Sequence, residues 1–456
     1  MFKKVNMLEG KIVPGMLAVT MPIMLLSVIN SVFNLIDMTV LKQFGAGDAV
    51  GAVGACGTLI TLLSVLFTGT ATGASVTVAR YIGKNDKEKV QRAVGTAMLV
   101  ALVGGIVLMI VGVIGSRTFL EWMDTPVELI DDSTLYFRLY FLGFPILMLY
   151  TFSIPMLRAA GYTLQPMIFS LSGGVLKVVL TFVFVAFCDM TIEGVALATI
   201  ASWITMAVLS VTTIIKTNTI VKLNFKCLRF YGTELKEMFY IGIPTGLQQG
   251  LYSFANVVIA TAVNSFGPNA TTGISIANTF DGIMYSIVIA PATAVTYYVS
   301  QNVGKGNVKR AEQSILRGML ITLAFGATLG SLSAILSPQL SSIMSDVPEV
   351  IQYSCQKMRI ISSTYFICGI NEILCATMRG IRKPLVPTVS TLLFMCAIRF
   401  PWVYFIFPLV PNLTFLYLIW PIGWVLSIST ILCFYFPAMK KLKRKNALTE
   451  LGLKKA

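Results

Sequence analysis

Apolar residues fill this chain in long runs separated by short polar stretches. Twelve runs, near 14–41, 51–79, 94–115, 134–156, 164–187, 194–215, 238–263, 272–300, 314–336, 354–376, 385–407 and 414–437, are each long enough to cross a bilayer. A hydrocarbon core about 30 Å thick takes about 20 helical residues. Backbone groups in lipid must be satisfied within the segment, which leaves helices or a closed barrel, and runs this long and continuous are not barrel strands. The pattern therefore predicts an all-α membrane protein with twelve transmembrane helices. The first run follows Lys3, Lys4 and Lys11, as a signal peptide would. It is too long for one, contains Asn30, Asn34 and Asp37, and lacks an Ala-x-Ala cleavage site, so it is expected to be retained as the first membrane helix.

The runs repeat. Pro22 returns as Pro244, Gly45 as Gly267 and Gly51 as Gly273, all at one constant offset. Gly83-Lys84 returns as Gly304-Lys305, Met98-Leu99 as Met319-Leu320, Arg158 as Arg379 and Pro166 as Pro387, at an offset shorter by a single position. Each half holds six spans, an even number, so the halves have the same orientation and relate by an axis along the membrane normal. The expected organisation is a first lobe over 1–215, a basic linker over 216–237, a second lobe over 238–437 and a basic tail over 438–456. A tandem repeat with a cavity between its halves suits alternating access.

Composition agrees. Hydrophobic residues make up 56% of the 456 residues and charged residues 12%, and mean hydropathy is positive. Soluble domains carry about 25% charged residues, so the apolar surface must face lipid. The net charge of +15 falls in short loops rather than in a stripe with interleaved aromatics, which argues against nucleic acid as a partner. Lys84, Lys87, Lys89, Arg92, Arg158, Lys216, Lys222, Lys305, Arg379 and the Lys440–Lys445 cluster lie on one set of loops and the tail. The opposite loops carry Glu121, Asp124, Glu128, Asp131 and Asp132, with few basic residues such as Lys42, Arg117, Arg138 and Lys357. This bias places both termini in the cytoplasm of a multi-pass inner-membrane protein. Eight cysteines form no Cys-x-x-Cys pair and read as small buried hydrophobes. The absence of histidine removes the usual zinc ligand and neutral-pH proton carrier, leaving proton work to carboxylates. No Gly-x-Ser-x-Gly and no phosphate-binding loop is present, so neither an embedded hydrolase nor ATP drive is expected.

The motifs resemble those of the multidrug and toxic compound extrusion (MATE) family, nearest its DinF-like bacterial branch. In the first half these are Met21-Pro22, Asn34-Leu-Ile-Asp37, Gly45-Ala-Gly47, Ala52-Val-Gly54, Gly69-Thr-Ala-Thr-Gly73, Tyr81-Ile-Gly83-Lys-Asn-Asp86, Leu157-Arg158-Ala-Ala-Gly161 and Pro166. In the second they are Gly242-Ile-Pro244, Asn302-Val-Gly304, Met378-Arg379-Gly380 and Arg399-Phe-Pro401. The resemblance covers nearly the whole chain. It implies two six-helix lobes around a V-shaped cavity and cation-coupled export of organic, often cationic, compounds, with a proton or sodium gradient as drive and no cofactor.

Charges inside the runs are the candidate sites, since an ionised group at bilayer depth costs at least about 2.5–3.5 kcal/mol. Asp37, beside Asn34, reads either as a protonation or cation site, which the resemblance supports, or as an interfacial or ion-paired aspartate. The family pattern implies an Asn and, four residues later, an Asp in the fifth helix facing Asp37. Here those positions read Lys177 and Thr181. A buried lysine must pair or lose its proton. Lys177 therefore either pairs with Asp37, standing in for a bound cation and favouring protons over sodium, or reaches into a wet cavity without a coupling role. In the second half, Asp281 after Asn278 and Glu372 after Asn371 are the candidate carboxylates, and Arg399 is expected to pair with one of them. Gln249, Tyr252 and Asn256, next to Gln248, have helical spacing and are expected to line one face. The 22 methionines and 28 phenylalanines read mainly as packing, with a minority available to an adaptable pocket. The leading expectation is an antiporter exporting amphipathic organic cations. The alternative is a lipid-linked oligosaccharide or anionic-lipid flippase of the same superfamily, which Lys177 and Arg399 favour mildly and twelve spans disfavour. Two complete lobes in one chain predict a functional monomer.

Overall fold

The computed structural model describes residues 4–44, 49–123, 125–188 and 190–450, with side chains for all of these except 34, 35, 37, 38, 41–44, 49–55, 58, 59, 62, 449 and 450. Among the described residues there are helices and no strands. In chain order they are α1 (Ile12–Phe44), α2 (Ala49–Gly83), α3 (Lys87–Trp122), α4 (Val127–Leu142), α5 (Phe144–Ala159), α6 (Leu164–Phe187), α7 (Ile192–Lys216) and α8 (Gly232–Asn264). There follow α9 (Pro268–Lys305), α10 (Val308–Ile335), the short α11 (Ser337–Ser342), α12 (Pro348–Ser363), α13 (Tyr365–Gly380), α14 (Leu385–Leu409) and α15 (Leu413–Leu448).

The twelve spans emerge from these helices. Eight are long and apolar enough alone: α1 through Phe33, α3, α6, α7, α9, α10, α14 and α15. Two more are broken spans, α4 with α5 bent by 51° and α12 with α13 bent by 48°. The helices α2 and α8, of 35 and 33 residues, complete the set. The breaks fall at Gly143 and Thr364, which are equivalent positions of the internal repeat. Most helices outrun the apolar runs because polar residues extend them into the interface. Asp86 caps α3 by accepting the Lys89 backbone N–H at 3.1 Å, and that bond holds its carboxyl below the usual carboxylate range. Asn307, its counterpart in the second half, caps α10 by accepting the Arg310 N–H at 3.0 Å.

The described chain forms two compact units, and they do not divide at the linker. One comprises Met1–Val5 and Leu25–Gly246; the other comprises Asn6–Met24 and Leu247–Ala456. Each of α1 and α8 changes unit two residues after its internal proline, Pro22 or Pro244. The first unit thus owns the linker and the first half of α8. Thr96 Oγ1 on α3 donates to the Arg229 carbonyl at 3.0 Å and accepts the Tyr231 N–H at 3.3 Å. Past this anchor α8 crosses α2 on glycines: Gly69 and Gly73 of α2 meet Gly242 and Gly246 of α8, so closely that a Cβ on any of the four would enter the partner helix's backbone. Small residues four apart let two backbones approach to this distance in lipid. In the second unit, Arg310 holds the residues before α1, its Nε and NH2 donating to the carbonyls of Met7 (3.2 Å), Glu9 (2.8 Å) and Gly10 (3.0 Å).

Candidate functional site

Each unit contains a cavity. That of the second unit is about 340 Å³ and lies among α8, α9, α12, α13 and α15. Its wall carries Tyr252, Tyr285, Tyr365, Tyr417, Trp420 and Trp424, so aromatic rings dominate it. Among them stands one ion pair. Asp281 on α9 lies 3.0 Å from Lys357 Nζ on α12, with side chains 14% and 4% exposed. The same ammonium donates to Asn278 Oδ1 and sits 5.9 Å from the Trp420 ring centroid. Tyr365 donates to the Asp281 backbone carbonyl at 3.1 Å and so fixes the turn that carries the carboxylate. Two polar atoms are left over: Asp281 Oδ1 and Tyr417 Oη are buried with no hydrogen-bond partner among the described residues.

Arg399 lies beside this cavity, behind its aromatic wall. It does not pair with Asp281 or Glu372 as the sequence leads one to expect. Its NH1 donates to Asn256 Oδ1 at 2.6 Å, and its guanidinium stacks 5.3 Å from the Tyr252 ring and 5.0 Å from the Trp420 ring. A planar, weakly hydrated guanidinium suits aromatic faces, and the only acid among the described residues lining the cavity is already taken by Lys357. Glu372 on α13 instead accepts a long bond from Tyr285 Oη at 3.5 Å. Of the three α8 residues predicted to share a face, Tyr252 and Asn256 line the cavity, whereas Gln249 is exposed and outside it. Its neighbour Gln248 is buried, donating to Thr391 Oγ1 at 2.9 Å and accepting from Arg379 at 3.4 Å. The residue the sequence reading misses is Lys357. It counts there among the loop cations because it sits near the start of an apolar run and the residues before it are polar.

The cavity of the first unit is about 590 Å³, and Lys177 on α6 lines it with Asn30, Tyr136, Tyr150, Ser170 and Trp203. Tyr150 and Ser170 share a hydrogen bond of 2.5 Å across it. Thr181 is fully buried one turn beyond Lys177, and its Oγ1 has no partner among the described residues. The side chains of Asn34 and Asp37 lie outside the described residues, although α1 carries their backbone. Among the described residues no group of three or more metal-ligating side chains comes together.

The sequence profile of the MatE family matches residues 22–183 and 244–405. YoeA of Bacillus subtilis (strain 168), described as a probable multidrug resistance protein, is 26% identical over 388 residues, 83% of this chain and 84% of its own length. A protein of Shewanella oneidensis described as an FAD transporter is 22% identical over 81% of this chain and 82% of its own length. A solved outward-facing multidrug resistance MATE transporter of the MOP superfamily superimposes with a TM-score of 0.88 at 20% identity, covering 97% of this chain and 99% of that one. The two matched segments are of equal length and are offset by the same interval that separates Pro22 from Pro244, and together they make this chain a transporter of the MatE family.

Proposed function

We propose that this protein is a cation-coupled antiporter that exports amphipathic organic cations across the cell membrane, with protons rather than sodium as the driving ion. The observation that carries the reading is a carboxylate, Asp281, set in a cavity walled by tyrosine and tryptophan rings. Aromatic faces attract a delocalised cation and accept its apolar body, and a carboxylate supplies the countercharge. The relative named as a multidrug resistance protein supports export of drugs. The choice of protons rests on the lysines: Lys177 and Lys357 put an ammonium in each cavity, and an ammonium repels sodium while a carboxylate beside it still exchanges a proton. Asp281 serves the second unit, and Asp37 is assigned the same duty in the first. The excess of basic residues in one set of loops supports a cytoplasmic position for both termini, and two complete halves in one chain support a single chain as the working unit.

The test is uptake of ethidium into proteoliposomes holding the purified protein, under a pH gradient or a sodium gradient imposed separately. Proton-driven uptake that falls at least tenfold in both Asp37→Asn and Asp281→Asn is the expected result. Uptake driven by sodium alone overturns the proton assignment.

A second reading has two observations in its favour. Lys177, Lys357 and Arg399 set cations in or beside the cavities, where Asp281 is the one carboxylate among the described lining residues, and one relative is named an FAD transporter. Anionic cargo, including an anionic lipid, then replaces the organic cation, and ethidium would not be taken up under either gradient.

A further inference from the structure

Lys357 is held in a way that a merely neutralising lysine is not. Its ammonium touches a carboxylate oxygen (Asp281, 3.0 Å), an amide oxygen (Asn278) and the face of an indole (Trp420, 5.9 Å to the centroid). Anionic oxygen, neutral oxygen and an aromatic face are the three groups with which proteins bind an organic ammonium. The cage is almost dry, since Lys357 is 4% exposed, yet it opens on a cavity of about 340 Å³, within the volume of small-molecule sites. One oxygen of Asp281 is buried there with no partner among the described residues, so the carboxylate is only half satisfied by the lysine.

We infer that this cage is the substrate-cation site of the second unit and that Lys357 occupies it as a tethered competitor, which a cationic substrate must displace from Asp281 in order to bind. The inference rests on the organic-cation reading and adds the identity of the site and its internal occupant. The lysine is suited to the part. Its charge sits on a flexible four-carbon stem, so the head can leave while the backbone of α12 stays in place. The exchange of one cation for another never leaves Asp281 as a lone buried charge, which would cost several kcal/mol. Return of the ammonium to Asp281 accompanies release of the substrate, while the proton gradient supplies the drive. A site of this kind selects for positive charge and aromatic bulk and little else, as a multidrug carrier requires.

Equilibrium binding tests this without any gradient, and so separately from transport. Ethidium anisotropy is titrated with detergent-purified protein at pH 8, for the parent, Lys357→Met, Lys357→Arg and Asp281→Asn, after each gives a monodisperse gel-filtration peak. Removal of the competitor is expected to tighten ethidium binding in Lys357→Met by about tenfold, with Lys357→Arg near the parent and Asp281→Asn weaker than it. Ethidium is also expected to raise the unfolding temperature of Lys357→Met more than that of the parent, because it restores the missing partner of Asp281. Where Lys357→Met does not fold, Lys357→Gln is the substitute, neutral and still able to hydrogen-bond Asp281. Unchanged or weaker binding in the neutral variant overturns the inference, even where proton-driven uptake by the parent stands. Tight binding without uptake by the parent overturns the antiport reading and leaves the site in place.

Discussion

At the scale of single residues, the caps are the most predictable devices. Asp86 bonds the Lys89 N–H at the start of α3, and its pKa lies below the ordinary value. A depressed carboxylate contributes stability above its unfolded pKa of about 3.9 and loses it as pH falls through the lower, folded value. Asp86→Ala is expected to cost about 1 kcal/mol at pH 7. Asp86→Asn should hold most of the cap at every pH. Thermal unfolding in detergent at pH 7 and pH 3 checks the sign: the gap between parent and Asp86→Ala must narrow in acid. A gap that widens would mean that the bond to Lys89 is absent. Such caps can be read from Gly83-Lys-Asn-Asp86 and its echo because their partners lie within three residues. The ion pair of the candidate site cannot be read in this way. Asp281 and Lys357 lie on helices α9 and α12. Nothing local distinguishes Lys357 from a loop cation, and the expected pairing of Arg399 with an acid fails for the same reason.

At the scale of elements, the sequence shows where helices lie, since lipid leaves no other option for a long apolar run. It shows less well how they are interrupted. The bends at Gly143 and Thr364, though equivalent in the repeat, carry no shared residue type to announce them. The two π-helical stretches of α14, Leu392–Ala397 and Trp402–Ile406, are also silent in the hydropathy pattern. They have a consequence for the repeat. A π-turn takes up one extra residue. From Gly83 to Pro166 the halves run at the shorter of their two offsets, whereas Lys177 and Arg399 are related by the longer one, as are Asn34 and Asn256. The extra residue in the first of these stretches, Leu392–Ala397, restores the earlier register and puts Arg399 at the position of Lys177. Each half thereby carries an amide on its first helix and a cation on its fifth, and in the second half the two are joined at 2.6 Å. The crossing of α2 and α8 offers the test at this scale. Gly73→Leu drives a side chain into the Met238 carbonyl and the Gly242 backbone, which cannot yield as a side-chain tip would. Its expected cost is about 3 kcal/mol or more, on the scale of severe overpacking. Gly57→Leu, where a Cβ meets nothing within 4 Å, is the matched control. Equal unfolding temperatures for the two variants would rule out the close crossing.

At the scale of the whole molecule, the notable fact is that neither unit is made of one repeat. The first unit takes the linker and the first half of α8 from beyond residue 215, and the second takes Asn6–Met24 from the start of the chain. Both exchanges end two residues past a repeat-related proline, so one duplicated rule places them. The linker is accordingly part of the first unit rather than a tether. Gly95 packs on the Cys227 carbonyl, and Leu223 donates its N–H to the Ile214 carbonyl at 3.0 Å. A consequence follows for a chain cut in the linker between Thr217 and Thr219. The fragment 1–217 would lack the half of α8 that covers Gly69 and Gly73, and would carry Asn6–Met24 without the Arg310 and Asn302 groups that hold this segment. Each fragment lacks contacts that the other supplies. Co-expressed fragments are therefore expected to co-purify through a tag on one alone and to elute as a single species, while each fragment expressed singly aggregates. A cut between Met24 and Leu25 should be tolerated far less well, because it severs a helix inside the membrane, where the freed backbone groups find no water. If fragment 1–217 alone gave a stable, monodisperse protein, the exchange of helix halves would contribute nothing to stability, and each lobe would fold without the helix half it takes from the other.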